Sequence, residues 1–340
     1  MAHAVRVKTD GAGGSLVTRK ALGEAEASSA LELGRAIRLA LVNIGGATPW
    51  RGRRQLRGGS TMAADHTPQD QYLDADGLRL HYLDWGSDTA PPMLLLHGFS
   101  GHAHTWDTFA QAMCGEFRVL ALDQRGHGDS AWAKDGAYTV DDHASDIAAF
   151  HDHLMLDPVV LIGLSMGGRN ALMFAAIHPG KVEKLVIVDI GPDIDRRGAE
   201  RVRRMAAEAP EEFASVDAAM AYLTSYYTHA SDAILRHRVE HGLKRLPNGM
   251  YTWKYDKALR EQRRQGTTPT ADLWPVVRRL KVPTLIMRGS ESDIFTVDTA
   301  TRMHDLIPGS RFVEVRGAGH SIPADAPEAF EKAVCEFLAS

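Results

Sequence analysis

Val159-Val160-Leu161-Ile162-Gly163-Leu164-Ser165-Met166-Gly167-Gly168-Arg169-Asn170-Ala171 is the stretch on which the fold reading turns. Its first four residues form an unbroken aliphatic run, the pattern of a parallel strand buried on both faces. Gly168 through Ala176 has the composition of a helix. Between them lies Gly-x-Ser-x-Gly, so the serine falls at the turn from strand to helix. A turn that tight tolerates little beyond glycine at the flanking positions. The serine is then held in a strained backbone geometry with its Oγ exposed above the sheet. The helix N-terminus behind it supplies free N–H groups and a positive dipole end. A strand, this turn and a helix together point to a serine nucleophile.

Working outward, the same form repeats. Met93–Leu96, Phe117–Leu122, Asp157–Ile162, Lys184–Val188, Thr284–Met287 and Arg311–Val315 are short apolar runs. Gln71–Asp74 and Leu78–Trp85 read as strands joined at Asp76-Gly77, a hairpin signal. Helical stretches separate the runs: Trp106–Met113, Val140–Leu154, Ser165–His178 and Ala326–Leu338. Strand–helix alternation predicts a doubly wound, mostly parallel α/β sheet. The alternation breaks over residues 193–274, a charged and helical block with capping signals at Asp195, Ser215 and Ser231. Pro247-Asn248-Gly249 marks a turn there, and Tyr251, Trp253 and Tyr255 follow with a strand-like period of two. An insertion between sheet strands sits over the carboxyl edge, where ligands bind in such folds. We read it as a cap, with 68–192 and 275–340 as the core.

A serine hydroxyl needs a base to take its proton. His320, in Gly317-Ala318-Gly319-His320-Ser321, follows the last strand and is the candidate. A carboxylate must fix the histidine tautomer. Asp293, after the strand Thr284–Met287, gives the chain order Ser165, Asp293, His320 and is the expected partner. Glu291 and Asp189 remain alternatives, Asp189 because it ends another strand on the same sheet edge. The oxyanion of an acyl-transfer intermediate needs backbone donors. The N–H groups of Met166, after the nucleophile, and Phe99, in His97-Gly98-Phe99, are the candidates.

These pieces, with Asp123-Gln-Arg-Gly-His-Gly-Asp-Ser130, resemble an α/β-hydrolase of the esterase/lipase type, close to small bacterial carboxylesterases. The resemblance spans roughly residues 68–340. It implies an inserted cap and two-step hydrolysis of short- to medium-chain carboxylic esters, without a cofactor. The same triad on other substrates would cleave C–C, amide or lactone bonds, and a non-catalytic ligand receptor on this fold is the remaining alternative. Leu164 stands where many relatives have histidine. The single-glycine form His97-Gly98-Phe99 resembles enzymes that avoid bulky tertiary-alcohol esters.

Trp106, Tyr222, Tyr226, Tyr227, Trp253 and Tyr255 are candidates to line an acyl or alcohol pocket beneath the cap, Trp106, Tyr222, Tyr226 and Trp253 foremost. Arg169, one helical turn beyond the serine, fits helix packing or an acidic substrate group. His102-Ala-His104-Thr-Trp-Asp107 partly echoes a metal-ligand motif, but the histidine that should follow Asp107 is missing, so no metal site is assigned. The 340 residues are 44% hydrophobic and 24% charged, with a net charge of −4, which excludes global disorder and gives no electrostatic reason to expect nucleic acid. No apolar run is long enough to span a membrane. Two cysteines, Cys114 and Cys335, cannot form a disulfide framework and suit a reducing, cytoplasmic setting. Residues 1–61 carry ten Lys/Arg against four Asp/Glu and ten of the 31 glycines. We expect residues 1–67 to be a poorly ordered extension. Oligomeric state is not legible.

Overall fold

The computed structural model describes residues 67–267 and 271–340, so the expected extension lies, all but its last residue, outside the described residues. Eight strands form the main sheet: β1 (Gln69–Ala75), β2 (Leu78–Trp85), β3 (Pro92–Leu96), β4 (Arg118–Leu122), β5 (Val159–Leu164), β6 (Val182–Val188), and, after three short strands of an inserted segment, β10 (Thr284–Gly289) and β11 (Arg311–Val315). Their spatial order is β1-β2-β4-β3-β5-β6-β10-β11. The pairs β1–β2 and β2–β4 are antiparallel and all others parallel. Each parallel crossover runs through a helix, as a parallel ladder requires.

The apolar runs are explained by the pleat. Successive strand residues face opposite sides, and both sides are covered. On β3, Leu94 and Leu96 join one core with Phe150 and Phe174. Met93 and Leu95 join the other with Trp106, Phe109 and Phe330. The first face carries helices Val140–His153, Met166–Ile177 and Val297–Leu306, and the second carries Asp107–Met113 and Pro327–Leu338. The helix Val297–Leu306 was not foreseen from the sequence; Thr296 caps it by accepting from the Thr299 N–H.

Between β6 and β10 the chain forms the inserted segment. The capping signals act there as N-caps: Asp195 accepts from Arg197 N, Ser215 from Ala218 N and Ser231 from Ile234 N. They open helices Arg196–Glu208, Val216–Thr224 and Asp232–Gly242. A helical reading is incomplete, because β7 (Glu212–Phe213), β8 (Leu243–Arg245) and β9 (Tyr251–Trp253) form a small antiparallel sheet. Asn248 and Gly249 turn the β8–β9 hairpin, Gly249 with φ +87°. A third apolar cluster, including Phe213, Leu223, Trp253 and Tyr255, fills this segment and reaches Phe99 of the core.

Register sets the site. Leu96 pairs with Gly163 across β3 and β5, and Leu164 pairs with Val188 across β5 and β6. The first residues beyond three neighbouring strands therefore emerge side by side. Close approach at the turn requires its glycines. A Cβ on Gly163 would meet the Gly167 carbonyl oxygen at 2.4 Å, and one on Gly167 would meet the Leu96 carbonyl oxygen at 2.3 Å. Those obstacles are backbone and cannot swing aside. Gly167→Ala should lower stability by about 1–3 kcal/mol or more. Urea unfolding measures this, and an unchanged midpoint would contradict the packing account.

Candidate active site

Ser165 sits at the strand-to-helix turn with φ 54° and ψ −116°, a sparsely populated region for a residue with a side chain. Two bonds hold it there: its N–H donates to the Val188 carbonyl at 3.0 Å and its carbonyl accepts from Arg169 N at 3.1 Å. His320 lies beyond β11, and its Nε2 is 2.9 Å from the serine Oγ. The sequence thus places nucleophile and base candidates 155 residues apart, and the fold brings them into hydrogen-bond reach.

The carboxylate on His320 is Asp189, with Oδ2 2.7 Å from Nδ1. This corrects the expectation of Asp293. Asp293 is engaged elsewhere: the Arg201 guanidinium donates to both of its oxygens, at 2.6 and 2.8 Å. Arg201 belongs to the inserted helix Arg196–Glu208, whose contact could not be read from spacing. Asp189 is the residue after β6, so it leaves the sheet beside Ser165. It is wholly buried and its φ is +50°, a conformation that Asp tolerates better than most residues. Its carboxylate also accepts from Gly289 N at 2.8 Å and from Ser292 Oγ. Glu291 lines the cavity but does not meet His320.

The loop after β3 packs against the serine: a Cβ on Gly98 would lie 3.3 Å from Ser165 Cβ. Phe99 and Met166 both line the same cavity, and Met166 opens its helix, where the N–H has no intrahelical acceptor. A buried network fixes this loop. Burial lowers the pKa of His97. Its Nε2 accepts from Gln124 N at 3.1 Å, so Nδ1 carries the proton and donates to the Gly98 carbonyl at 2.8 Å. The Gln124 amide donates to the His97 carbonyl and accepts from Asn170, both at 2.7 Å. Sequence reasoning missed His97, Gln124, Asn170 and Ser292 as positioning residues; a polar residue just past a buried strand was the available signal.

Beneath, Asp123 accepts from Ala103 N at 2.6 Å and Asp129 N at 2.8 Å, and pairs with His81 Nδ1 at 2.7 Å. Burial alone would raise its pKa, but the His81 hydrogen bond and the nearby imidazoles bring it down to about 2.

The cavity above the serine has a volume of about 740 Å³. Of the expected pocket aromatics, Tyr226 lines it and so does Tyr227. Trp106 does not: it is buried in the sheet core against Phe109 and Phe330. Tyr222 and Trp253 pack in the interior of the insertion around Phe213. The cavity wall is richer in cations than expected. Arg169 reaches back to the Gly191, Pro192 and Ala271 carbonyls at 3.0–3.1 Å. Arg263 stacks over the Phe99 ring with its guanidinium carbon 3.8 Å from the ring centre, and has no acidic partner among the described residues. Burial pulls its pKa down to about 10, with Arg169 nearby acting in the same direction.

Comparison with known proteins agrees with this fold. A family model described as alpha/beta hydrolase fold matches residues 91–327. The esterase Rv0045c of Mycobacterium tuberculosis is 34% identical over 253 residues, 73% of this chain and 82% of the relative. The mouse sn-1-specific diacylglycerol lipase ABHD11 is 30% identical over 316 residues, 86% of this chain and 99% of the relative. Among solved structures, E-2-(acetamidomethylene)succinate hydrolase superposes with a TM-score of 0.75 at 28% identity, covering 81% of this chain and all of that one.

The buried Asp123 carboxylate contributes stability above its unfolded pKa, and that stability is lost as pH falls from about 4 toward 2. Asp123→Asn should cost about 3–5 kcal/mol at neutral pH, since it removes the buried carboxylate partner of His81 and leaves it only the exposed Asp70. Denaturant titrations across pH should show the variant losing less stability than the wild type between pH 4 and 2. Equal slopes would contradict the assignment.

Proposed function

The chain belongs to the alpha/beta hydrolase family and is a hydrolase; from that premise we propose that it cleaves carboxylic esters by two-step acyl transfer on Ser165. The observation that carries the reading is the continuous hydrogen-bonded line from Asp189 through His320 to the Ser165 hydroxyl. In this mechanism His320 Nε2 takes the serine proton as Oγ attacks the ester carbonyl. Asp189 holds the imidazole in the tautomer that can accept at Nε2 and stabilises the imidazolium. The N–H groups of Phe99 and Met166 receive the oxyanion. The imidazolium returns its proton to the leaving alcohol, and water then repeats the sequence on the acyl-enzyme. Asp293 is bound to Arg201 on the wall of the cavity and makes no hydrogen bond to the imidazole.

The chain's relatives carry the names of an esterase, a diacylglycerol lipase and a succinate-derivative hydrolase. They leave open the acid portion of the substrate, and here the cavity gives a second indication. A half-buried guanidinium without an acidic partner, Arg263, beside a second one at Arg169, favours an ester whose acyl or alcohol portion bears a carboxylate. This second reading keeps the same triad. It also extends to C–C, amide or lactone bonds in acidic substrates, since fold and triad do not fix the scissile group. No helix among the described residues is long and apolar enough to cross a membrane. Cys114 and Cys335 are buried and unpaired, which supports a cytoplasmic setting.

Turnover of p-nitrophenyl butyrate tests the primary reading. Ser165→Ala should abolish it, and Asp189→Asn should reduce kcat by about 10⁴-fold, the scale of the same change in a well-studied protease triad. Asp293→Asn should retain kcat within about tenfold. A severe loss at Asp293 with little loss at Asp189 would reverse the assignment. For the second reading, the mono-p-nitrophenyl ester of succinate should be hydrolysed with higher kcat/KM than the butyrate. Arg263→Met should cut kcat/KM for the succinate ester by about 10–100-fold, as loss of one charge-assisted hydrogen bond does, and leave butyrate nearly unchanged. Equal losses on both esters would reject Arg263 as a carboxylate anchor.

A further inference from the structure

We propose that this hydrolase carries a structural Zn²⁺ site, made of His104, Asp107, His237 and His241, which clamps the inserted segment onto the core. The incomplete motif after β3 supplies two of the ligands. His104 and Asp107 are three residues apart where the short turn Ala103–Trp106 runs into the helix Asp107–Met113. The other two ligands come from the inserted segment. His237 and His241 are four residues apart on the helix Asp232–Gly242, so they share one helix face.

Each of the four residues brings one donor atom to within 4.8 Å of the other three. Within the cluster, His104 Nδ1 is 2.8 Å and His237 Nε2 is 3.0 Å from the same Asp107 oxygen. The His104 and His241 rings are stacked with centres 3.7 Å apart, and the His237 and His241 ring centres are 4.5 Å apart. The second oxygen of Asp107 is buried and has no hydrogen-bond partner. Two imidazoles share one oxygen of a carboxylate whose other oxygen has no partner, and a third imidazole is stacked against them. They have much to gain from a shared cation. A tetrahedral Zn²⁺ takes N and O ligands at about 2.0–2.2 Å, which separates ligand atoms by about 3.3–3.6 Å. The two shortest separations, 2.8 and 3.0 Å, lie just below that spacing and all four donor atoms lie within 4.8 Å of one another, so binding would spread the side chains outward around the ion.

The donor set selects the metal. Three imidazole nitrogens and one carboxylate oxygen suit Zn²⁺ and its borderline neighbours, and not Mg²⁺ or Ca²⁺, which want oxygen cages. Four protein ligands close the shell, which marks a structural site and not a catalytic one. The ion would reinforce contacts already present: Arg238 donates to the Ser100 carbonyl at 3.1 Å, and His102 Nε2 lies 2.9 Å from the Arg238 carbonyl. The clamp therefore joins the helix that presents Arg238 to the cavity with the loop that carries Phe99.

The experiment uses the full chain, free of any affinity tag, stripped with a chelator and dialysed. Isothermal titration with ZnCl₂ should give one site per chain, and differential scanning calorimetry should show the melting temperature rising by several degrees at saturating metal. MgCl₂ should do neither. Co²⁺ should give the intense visible absorption of a tetrahedral complex. The double variant His237→Ala/His241→Ala should lose Zn²⁺ affinity at least 100-fold and the melting shift with it, while its metal-free hydrolysis of p-nitrophenyl butyrate stays near wild type. If that variant does not fold, His241→Gln keeps a polar side chain at the position and should weaken affinity at least tenfold. No stoichiometric uptake by the wild type, an octahedral cobalt spectrum, or undiminished uptake in the variants would overturn the proposal.

Discussion

A carboxylate with no access to water, at the end of β6, holds three separate segments of the chain together. Asp189 accepts from the Gly289 N–H at the end of β10, from Ser292 in the loop that follows, and from His320 beyond β11. Stripping water from a carboxylate is costly unless its lone pairs are satisfied. Here the partners come from two places, the end of β10 with the loop after it and the loop after β11. The imidazole is thereby fixed in place by the same contacts that relieve the buried charge. The position of His320 follows from a solvation requirement at Asp189, and the position of the Ser165 hydroxyl relative to it follows from strand register.

The register argument depends on backbone crowding. Gly163 and Gly167 let the turn fold back against the Leu96 carbonyl, at distances where any side chain would collide. That closeness puts the loop of Gly98 and Phe99 beside the serine. The hydrogen bonds of His97, Gln124 and Asn170 then lock the loop to the helix that starts after Ser165. Strain at Ser165 persists because its surroundings over-determine it. The inserted segment contributes differently. It shares an apolar cluster with Phe99 and supplies cations to the cavity wall.

Much of this was legible in the sequence, for reasons of period and turn chemistry. Runs such as Met93–Leu96 signal strands covered on both faces because no polar alternation interrupts them. Asp195, Ser215 and Ser231 mark helix starts because their side chains accept orphan N–H groups. The choice between Asp189 and Asp293 was not legible. Both follow sheet strands at the same edge, and the difference lies in Arg201, whose approach depends on how the insertion packs. Trp106 was misread for a similar reason. An aromatic residue near a catalytic loop serves pocket or core equally well until the helix entering after it is oriented, and here it turns inward to Phe330. The histidines of the helix Asp232–Gly242 could not be joined to His104 by any spacing rule, because 133 residues separate His104 from His237.

The most direct measurement is a crystal structure of the chain after reaction with an organophosphonate that mimics the tetrahedral intermediate. The account predicts phosphorus bonded to the Oγ of Ser165, its free oxygen held by the Phe99 and Met166 N–H groups, and the imidazole still joined to Asp189. Phosphorus on any other side chain, or an imidazole turned onto Asp293, would contradict it.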